Sequence, residues 1–202
     1  TLLAVTLVGI SAVPALSQAQ EATPYLFASI GQSDSDLPQG DLDNYWGVPG
    51  FATSSVDSED TAWKVGAGLK LNQYFAFELE YLDLGEPVYK ATDGISVART
   101  TASTTGYGLN GVLTLPLDAF SLFTKVGYHR LETDADFTFN GADIESTSDE
   151  EWVWSWGVGA AYSFNDKVSL VAEFERYRDV ADYYDVDLMS AGLRYNFWSV
   201  SG

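Results

Sequence analysis

The sequence predicts an all-β protein, specifically an eight-stranded antiparallel transmembrane β-barrel. Three observations carry that expectation. The hydrophobic runs alternate apolar and polar residues at period two, the connections between runs alternate long and short, and aromatic residues gather near both ends of the runs. A strand whose side chains alternate faces can offer one row to lipid and the other to a polar interior. Only a closed sheet leaves no unpaired backbone group in hydrocarbon. Long connections are then surface loops and short ones periplasmic turns.

Composition sets the outer bounds. At 202 residues with 46% hydrophobic content, the chain has room for one domain and is too polar for a bundle of membrane helices. The stretch from Leu2 to Leu16 is apolar and uncharged but too short to span a bilayer, Pro14 interrupts any helix there, and Ser17-Gln18-Ala19 offers a small-x-small cut site. Residues 1–19 therefore read as a secretory signal peptide, with its initiating Met and basic segment upstream, and residues 20–202 as the barrel. The chain has no cysteine, which excludes a disulfide framework, a thiolate nucleophile and cysteine metal sites. A net charge of −19 excludes nucleic acid as a partner, since that needs a basic footprint.

The elements follow in order. Tyr25 to Gln32 reads as the first strand, and the polar, Asp-, Ser-, Gly- and Pro-rich segment from Ser33 to Asp60 as a long loop. From Thr61, Trp63, Val65, Ala67, Leu69 and Leu71 take the outer face while Lys64, Gly66, Gly68 and Lys70 face inward. Asn72-Gln73-Tyr74 turns the chain, and then Phe75, Phe77, Leu79 and Tyr81 face out with Glu78 and Glu80 facing in. A second long segment runs from Gly85 to Ser103. Tyr107, Leu109, Leu113 and Leu115 next alternate with Gly108, Asn110, Val112 and Thr114, and Pro116-Leu117-Asp118 turns.

The second half repeats the scheme. Phe120 to Leu131 places Leu122, Thr124, Val126 and Tyr128 outside and Phe123, Lys125, Gly127 and His129 inside. The acidic segment Glu132 to Glu151 reads as the third long loop. Trp152, Trp154, Trp156, Val158, Ala160 and Tyr162 then alternate with Ser155, Gly157, Gly159 and Ala161, and Phe164 to Lys167 turns. Val168, Leu170, Ala172 and Phe174 oppose Val171, Glu173 and Glu175, and a fourth loop runs from Arg178 to Tyr184. The last strand carries Met189, Ala191, Leu193, Tyr195 and Phe197 outside, with Ser190, Gly192, Arg194 and Asn196 inside. These are eight strands of nine to twelve residues, and a tilted strand needs about 9–11 to cross a bilayer.

The aromatics sort by depth. Tyr25, Tyr74, Phe75, Phe120, Tyr162, Phe164, Phe197 and Trp198 lie near the short-turn ends, and Trp63, Tyr81, Tyr107, Tyr128, Trp152 and Trp154 near the long-loop ends. Two girdles, one per interface, are what a spanning barrel displays, and a soluble sandwich has no reason to band its aromatics this way.

On these residues the chain resembles the OmpA-like transmembrane barrel family. Phe77 to Gly85 is similar to that family's third strand with its lumen glutamate and closing glycine, and Tyr162 to Phe174 to its sixth and seventh strands. Ser190 to Phe197 resembles its final strand with the terminal aromatic read by the barrel insertion machinery. The resemblance implies a Gram-negative outer-membrane location and lumen ion pairs that plug the interior and can exchange partners. Glu78 and Lys125 match one acidic and one basic member of that network, whereas Val112, Ala161 and Val171 stand where others would be. The candidate lumen network is therefore Lys64, Glu78, Glu80, Lys125, Glu173, Glu175 and Arg194, with Lys70 also available. Family members often carry a peptidoglycan-binding domain after the barrel, which is not expected here.

Acids concentrate in two long segments. Asp34, Asp36, Asp41, Asp43, Asp57, Glu59 and Asp60 fall in the first, and Glu132, Asp134, Asp136, Asp143, Glu145, Asp149, Glu150 and Glu151 in the third. Such a rim attracts cations or basic partners, including divalent ions bridging lipopolysaccharide phosphates, but no calcium-loop spacing is present. Some small barrels deacylate lipid A, which needs a nucleophile, a base and an orienting acid at the rim. His129, the single histidine, lies between Tyr128 and Arg130 with no adjacent serine and points to the lumen, so no catalytic residue is expected. Neither a cofactor nor a metal site is expected. The sequence thus points to a non-enzymatic monomer serving outer-membrane integrity and surface contact, touching outer-membrane lipid and lipopolysaccharide. The alternatives are a narrow low-conductance diffusion channel gated by lumen charges, or an adhesin or receptor acting through acidic surface loops.

Overall fold

A computed structural model describes residues 22–35, 53–57, 59–92, 96–180 and 184–197. The expected signal peptide, Trp198 and most of the first acidic segment, including Asp36, Asp41 and Asp43, lie outside the described residues. Every described element is a strand: β1 (Thr23–Ser35), β2 (Thr53–Asp57), β3 (Glu59–Lys70), β4 (Phe75–Asp83), β5 (Val88–Thr92), β6 (Val97–Leu117), β7 (Phe120–Phe139), β8 (Ala142–Ser163), β9 (Val168–Val180) and β10 (Tyr184–Asn196). Eight of them close a ring in the order β1-β3-β4-β6-β7-β8-β9-β10, with β10 returning antiparallel to β1. The remaining two, β2 and β5, extend the sheet from the outer part of β6, outside the ring.

Period-two alternation decides which face meets lipid. On β4, Leu79 is 64% exposed and its neighbour Glu80 only 4%. The same inversion of apolar and polar burial holds at Val126 against Lys125 and Met189 against Ser190. So large an apolar exterior is untenable in water and natural in hydrocarbon. The predicted outward and inward assignments of β3, β4, β6, β7 and β8 hold, and so do the described members of both aromatic girdles, with one exception. Tyr25 points inward, 1% exposed, because it shares parity with Phe27 and Ser29 while Leu26 and Ile30 take the lipid face.

Short turns are tied by side chains. Asn72 Oδ1 accepts from the Tyr74 and Phe75 amides at 2.8 and 2.9 Å, and Asn165 Oδ1 accepts from those of Lys167 and Val168 at 2.9 Å each. Asp118 takes a left-handed conformation, φ 57°, in the tight turn before Phe120.

The long segments differ from expectation. β1 runs on to Ser35 and β3 starts at Glu59, so the first loop is shorter than Ser33 to Asp60. Within Gly85 to Ser103 lie all of β5 and the start of β6. The acidic segment Glu132 to Glu151 is no loop: β7 and β8 pair nearly throughout, from Phe120↔Tyr162 to Phe139↔Ala142. Charge density obscured an alternation that continues, with Glu132, Asp134 and Asp136 on the outward row and Leu131, Thr133, Ala135 and Phe137 on the other. Asn140-Gly141, with φ of 50° and 80°, closes the hairpin, a pair suited to two consecutive left-handed residues. Asn140 also bonds β6, donating its amide to Val97 O and accepting from Val97 N, both at 2.8 Å. Consequently β6, β7 and β8 are 21, 20 and 22 residues long rather than nine to twelve.

Inside, the barrel is layered. An apolar cluster of Ala62, Leu82, Leu84, Leu131, Val153, Tyr177, Val180, Tyr184, Val186 and Leu188 fills the outer end. A second, of Tyr25, Phe27, Ala76, Val112, Phe123, Ala161 and Val171, lies toward the periplasmic end. Large inward rings sit against glycines on the adjacent strand: Tyr25 against Gly68, Phe27 against Gly66, His129 against Gly108 and Phe123 against Gly159. A Cβ at Gly108 would collide with the imidazole, so the small residue is what admits the large one.

Candidate functional site: the lumen charge layer and the outer rim

Between the two apolar layers lies a buried layer of charge. β3 delivers Lys64, β4 delivers Glu78 and Glu80, β7 delivers Lys125 and His129, β9 delivers Glu173 and Glu175, and β10 delivers Arg194, each on the inward row of its strand. These five strands converge because barrel closure sets the inward rows of β3 and β4 face to face with those of β7, β9 and β10. All seven members of the candidate network meet here.

Lys125 is the hub. Its Nζ lies 2.7 Å from Glu78, 3.0 Å from Glu173 and 3.7 Å from Glu175. Lys64 pairs with Glu173 and Glu175 from the other side. Glu78 further accepts from Arg194 Nη2 at 3.2 Å and from the Tyr25 hydroxyl at 2.6 Å. Glu80 sits 2.9 Å from His129 Nε2. Four carboxylates therefore face three permanent cations plus one imidazole, and each is at most 8% exposed. Charges this deep persist only when mutually paired, since an isolated ion there costs several kcal/mol.

The structure adds members that the residue pattern did not single out. Tyr25 completes the coordination of Glu78. Ser155 places its Oγ 3.2 Å from His129 Nδ1, and Tyr177 sets its ring edge-on to the imidazole at 5.1 Å. A carboxylate only accepts, so Nε2 donates to Glu80, and the Ser155 hydroxyl stands within hydrogen-bond reach of Nδ1. Inward parity of Ser155 was legible, but its partner lies 26 residues away on the adjacent strand, and only the register sets them together. Val112, Ala161 and Val171, standing at network positions of the resembled family, belong instead to the lower apolar layer.

At the outer rim, Glu132, Asp134, Asp136, Asp149, Glu150 and Glu151 lie on the β7–β8 hairpin, and Asp34, Glu59, Asp60, Asp185 and Asp187 on other strands. Glu132 stands directly opposite Glu150, which pairs with Arg130. Arg176 binds Asp187 in a fork at 2.5 Å to each oxygen, and Arg178 lies 3.9 Å from Asp185. Aromatics below brace this rim: Tyr128 stacks on Trp152 at 5.0 Å and packs at 4.8 Å on Trp154.

A closed ring of eight antiparallel strands, apolar outside, girdled twice and filled within, defines a small outer-membrane β-barrel protein. The chain belongs to the outer membrane protein beta-barrel domain family, whose model matches residues 3–197. No curated protein matches its sequence. Among solved structures it is similar in fold to Ail, the attachment invasion locus protein of Yersinia pestis, at a TM-score of 0.56 and 13% identity over 88% of this chain and 99% of that one. It is likewise similar to Neisserial surface protein A, at 0.54 and 13% identity over 87% and 99%. The protein resides in the outer membrane of a Gram-negative bacterium.

Proposed function

We propose that the protein is a closed, monomeric, non-enzymatic barrel that supports outer-membrane integrity and carries a stiff acidic hairpin for contact at the cell surface. The observation that carries this reading is the layered interior, in which a largely paired charge layer centred on Lys125 lies between two apolar clusters. A water path through such a lumen would have to break several buried ion pairs and part an apolar layer together, at a cost of several kcal/mol. Its outer-membrane partners would be lipid along the apolar exterior and lipopolysaccharide at the rim. Insertion would proceed through the final strand, β10.

Contact through the hairpin follows from its rigidity and charge. Beyond the outer girdle, β7 and β8 project by about 30 Å at roughly 3.3 Å per residue. The outward carboxylates Glu132, Asp134, Asp136 and Glu150 favour a cationic partner. Ail has been solved in complex with the heparin analogue sucrose octasulfate. An acidic hairpin disfavours such a polyanion here.

Ser155, His129 and Glu80 have the order of a hydrolytic triad, yet the reading is non-enzymatic. The serine is buried beneath the outer apolar layer, and the surrounding backbone N–H groups are engaged in the strand ladder, which leaves no pair to stabilise an oxyanion. Unchanged lipid A acylation on overexpression is the expected result.

Planar-bilayer recording tests closure against the diffusion-channel alternative. Folded protein should give no discrete openings distinct from lipid alone. Openings that change in Lys125→Ala would make the charge layer a gate and the protein a small pore.

A further inference from the structure

Among the short turns the barrel encloses a cavity of about 400 Å³, within the usual range of small-ligand pockets. It is blind: Tyr25, Ala76 and Val112 of the lower apolar layer form its floor. Two cations share its wall and both pack over the Tyr25 ring, Lys70 Nζ at 5.4 Å and Arg194 Cζ at 4.8 Å from the centroid. Neither is fully compensated. Arg194 gives one nitrogen to Glu78, a carboxylate already engaged by Lys125 and Tyr25, and its buried Nε has no hydrogen-bond partner. Lys70 donates to the neutral amide oxygen of Asn196 at 2.8 Å and makes no ion pair among the described residues. The one carboxylate in the wall is Asp118, at the turn; hydroxyls such as Ser121 and Ser169 supply further donors.

That two cations line one concavity is unexpected in a chain with 29 acids and 10 bases. A concave wall backed by lipid focuses their field and concentrates anions at the mouth. A compact ammonium on a flexible stem beside a guanidinium held in place is a pairing suited to phosphate oxygens. We propose that this periplasmic vestibule binds a small phosphate-type oxyanion, with Lys70 closing on it and Arg194 anchoring it at the floor. Such a group could come from a soluble phosphate ester or from a phospholipid headgroup of the inner leaflet.

The test uses the folded protein in an uncharged glucoside detergent, titrated with inorganic phosphate against chloride at constant ionic strength, and follows amide shifts of Tyr25, Lys70 and Asn196. The expected result is a saturable shift confined to the vestibule, weakened about tenfold in Lys70→Met, kept in Lys70→Arg, and unchanged in Lys90→Met, a lysine exposed on β5. Heat-dependent gel mobility verifies folding of each variant. Non-saturating shifts, or equal affinity in folded Lys70→Met, would overturn the site. Repeating the titration in uncharged glycolipid vesicles with and without phosphatidylglycerol assigns the source. Loss of the phosphate shift in the presence of that lipid means a headgroup occupies the vestibule, and persistence means a free solute does; both uphold the site.

Discussion

At the scale of single residues, the interior depends on mutual pairing. Lys125 serves three carboxylates at once, so Lys125→Met should strand Glu78, Glu173 and Glu175 with too little positive charge and destabilise the barrel by about 3–5 kcal/mol. Urea unfolding in lipid vesicles measures this, and adding Glu78→Gln to Lys125→Met should recover part of the loss. A midpoint unchanged in the single variant would mean water already screens the layer. The sequence made Lys64, Glu78, Lys125 and Arg194 legible as lumen groups, because each sits at inward parity on a well-patterned strand. It did not make their partners legible. Lys64 meets Glu175 across 111 positions of chain, and no local pattern encodes a contact that depends on ring closure.

At the scale of elements, β7 and β8 do two jobs. Their lower halves belong to the barrel and their upper halves form a hairpin that continues beyond the outer-girdle pair Tyr128 and Trp152. Replacing residues 133–148 with a short Asn-Gly turn should therefore leave a folded barrel while removing Asp134 and Asp136 from the outward row and the tip of the hairpin with them. Retained heat-modifiable migration, together with loss of cationic-partner binding at the cell surface, is the expected pair of results. Failure of the shortened chain to fold would instead assign the hairpin a role in assembly, for instance through its pairing with β6 between Ala98 and Thr105. The hairpin was hidden by composition. Eight acids in twenty residues read as solvated loop, whereas Asn140-Gly141 and the alternation on either side carried the opposite signal.

For the whole molecule, stability comes from closure. Every barrel strand pairs on both sides, so opening one seam exposes two rows of backbone groups to hydrocarbon, where no water satisfies them. Unfolding should then be cooperative, with the unboiled protein migrating differently in SDS from the boiled one. A single band regardless of heating would count against a closed ring. The charge distribution is also a property of the whole: acids crowd the outer hairpin, paired charges fill the middle, and Lys70 with Arg194 mark the periplasmic mouth.

Sequence by itself determined the architecture: the number of barrel strands, their inward and outward rows, the short turns at Asn72 and Asn165, and the girdles. These follow from local alternation, turn chemistry and the length needed to span a bilayer, which neighbouring residues specify. Tertiary structure alone decided who meets whom in the lumen, including the inward turn of Tyr25 onto Glu78 and the approach of Ser155 to His129. It also decided that the third acidic segment stands as a paired hairpin. Register between strands far apart in the chain sets those contacts, and register exists only once the sheet has closed on itself.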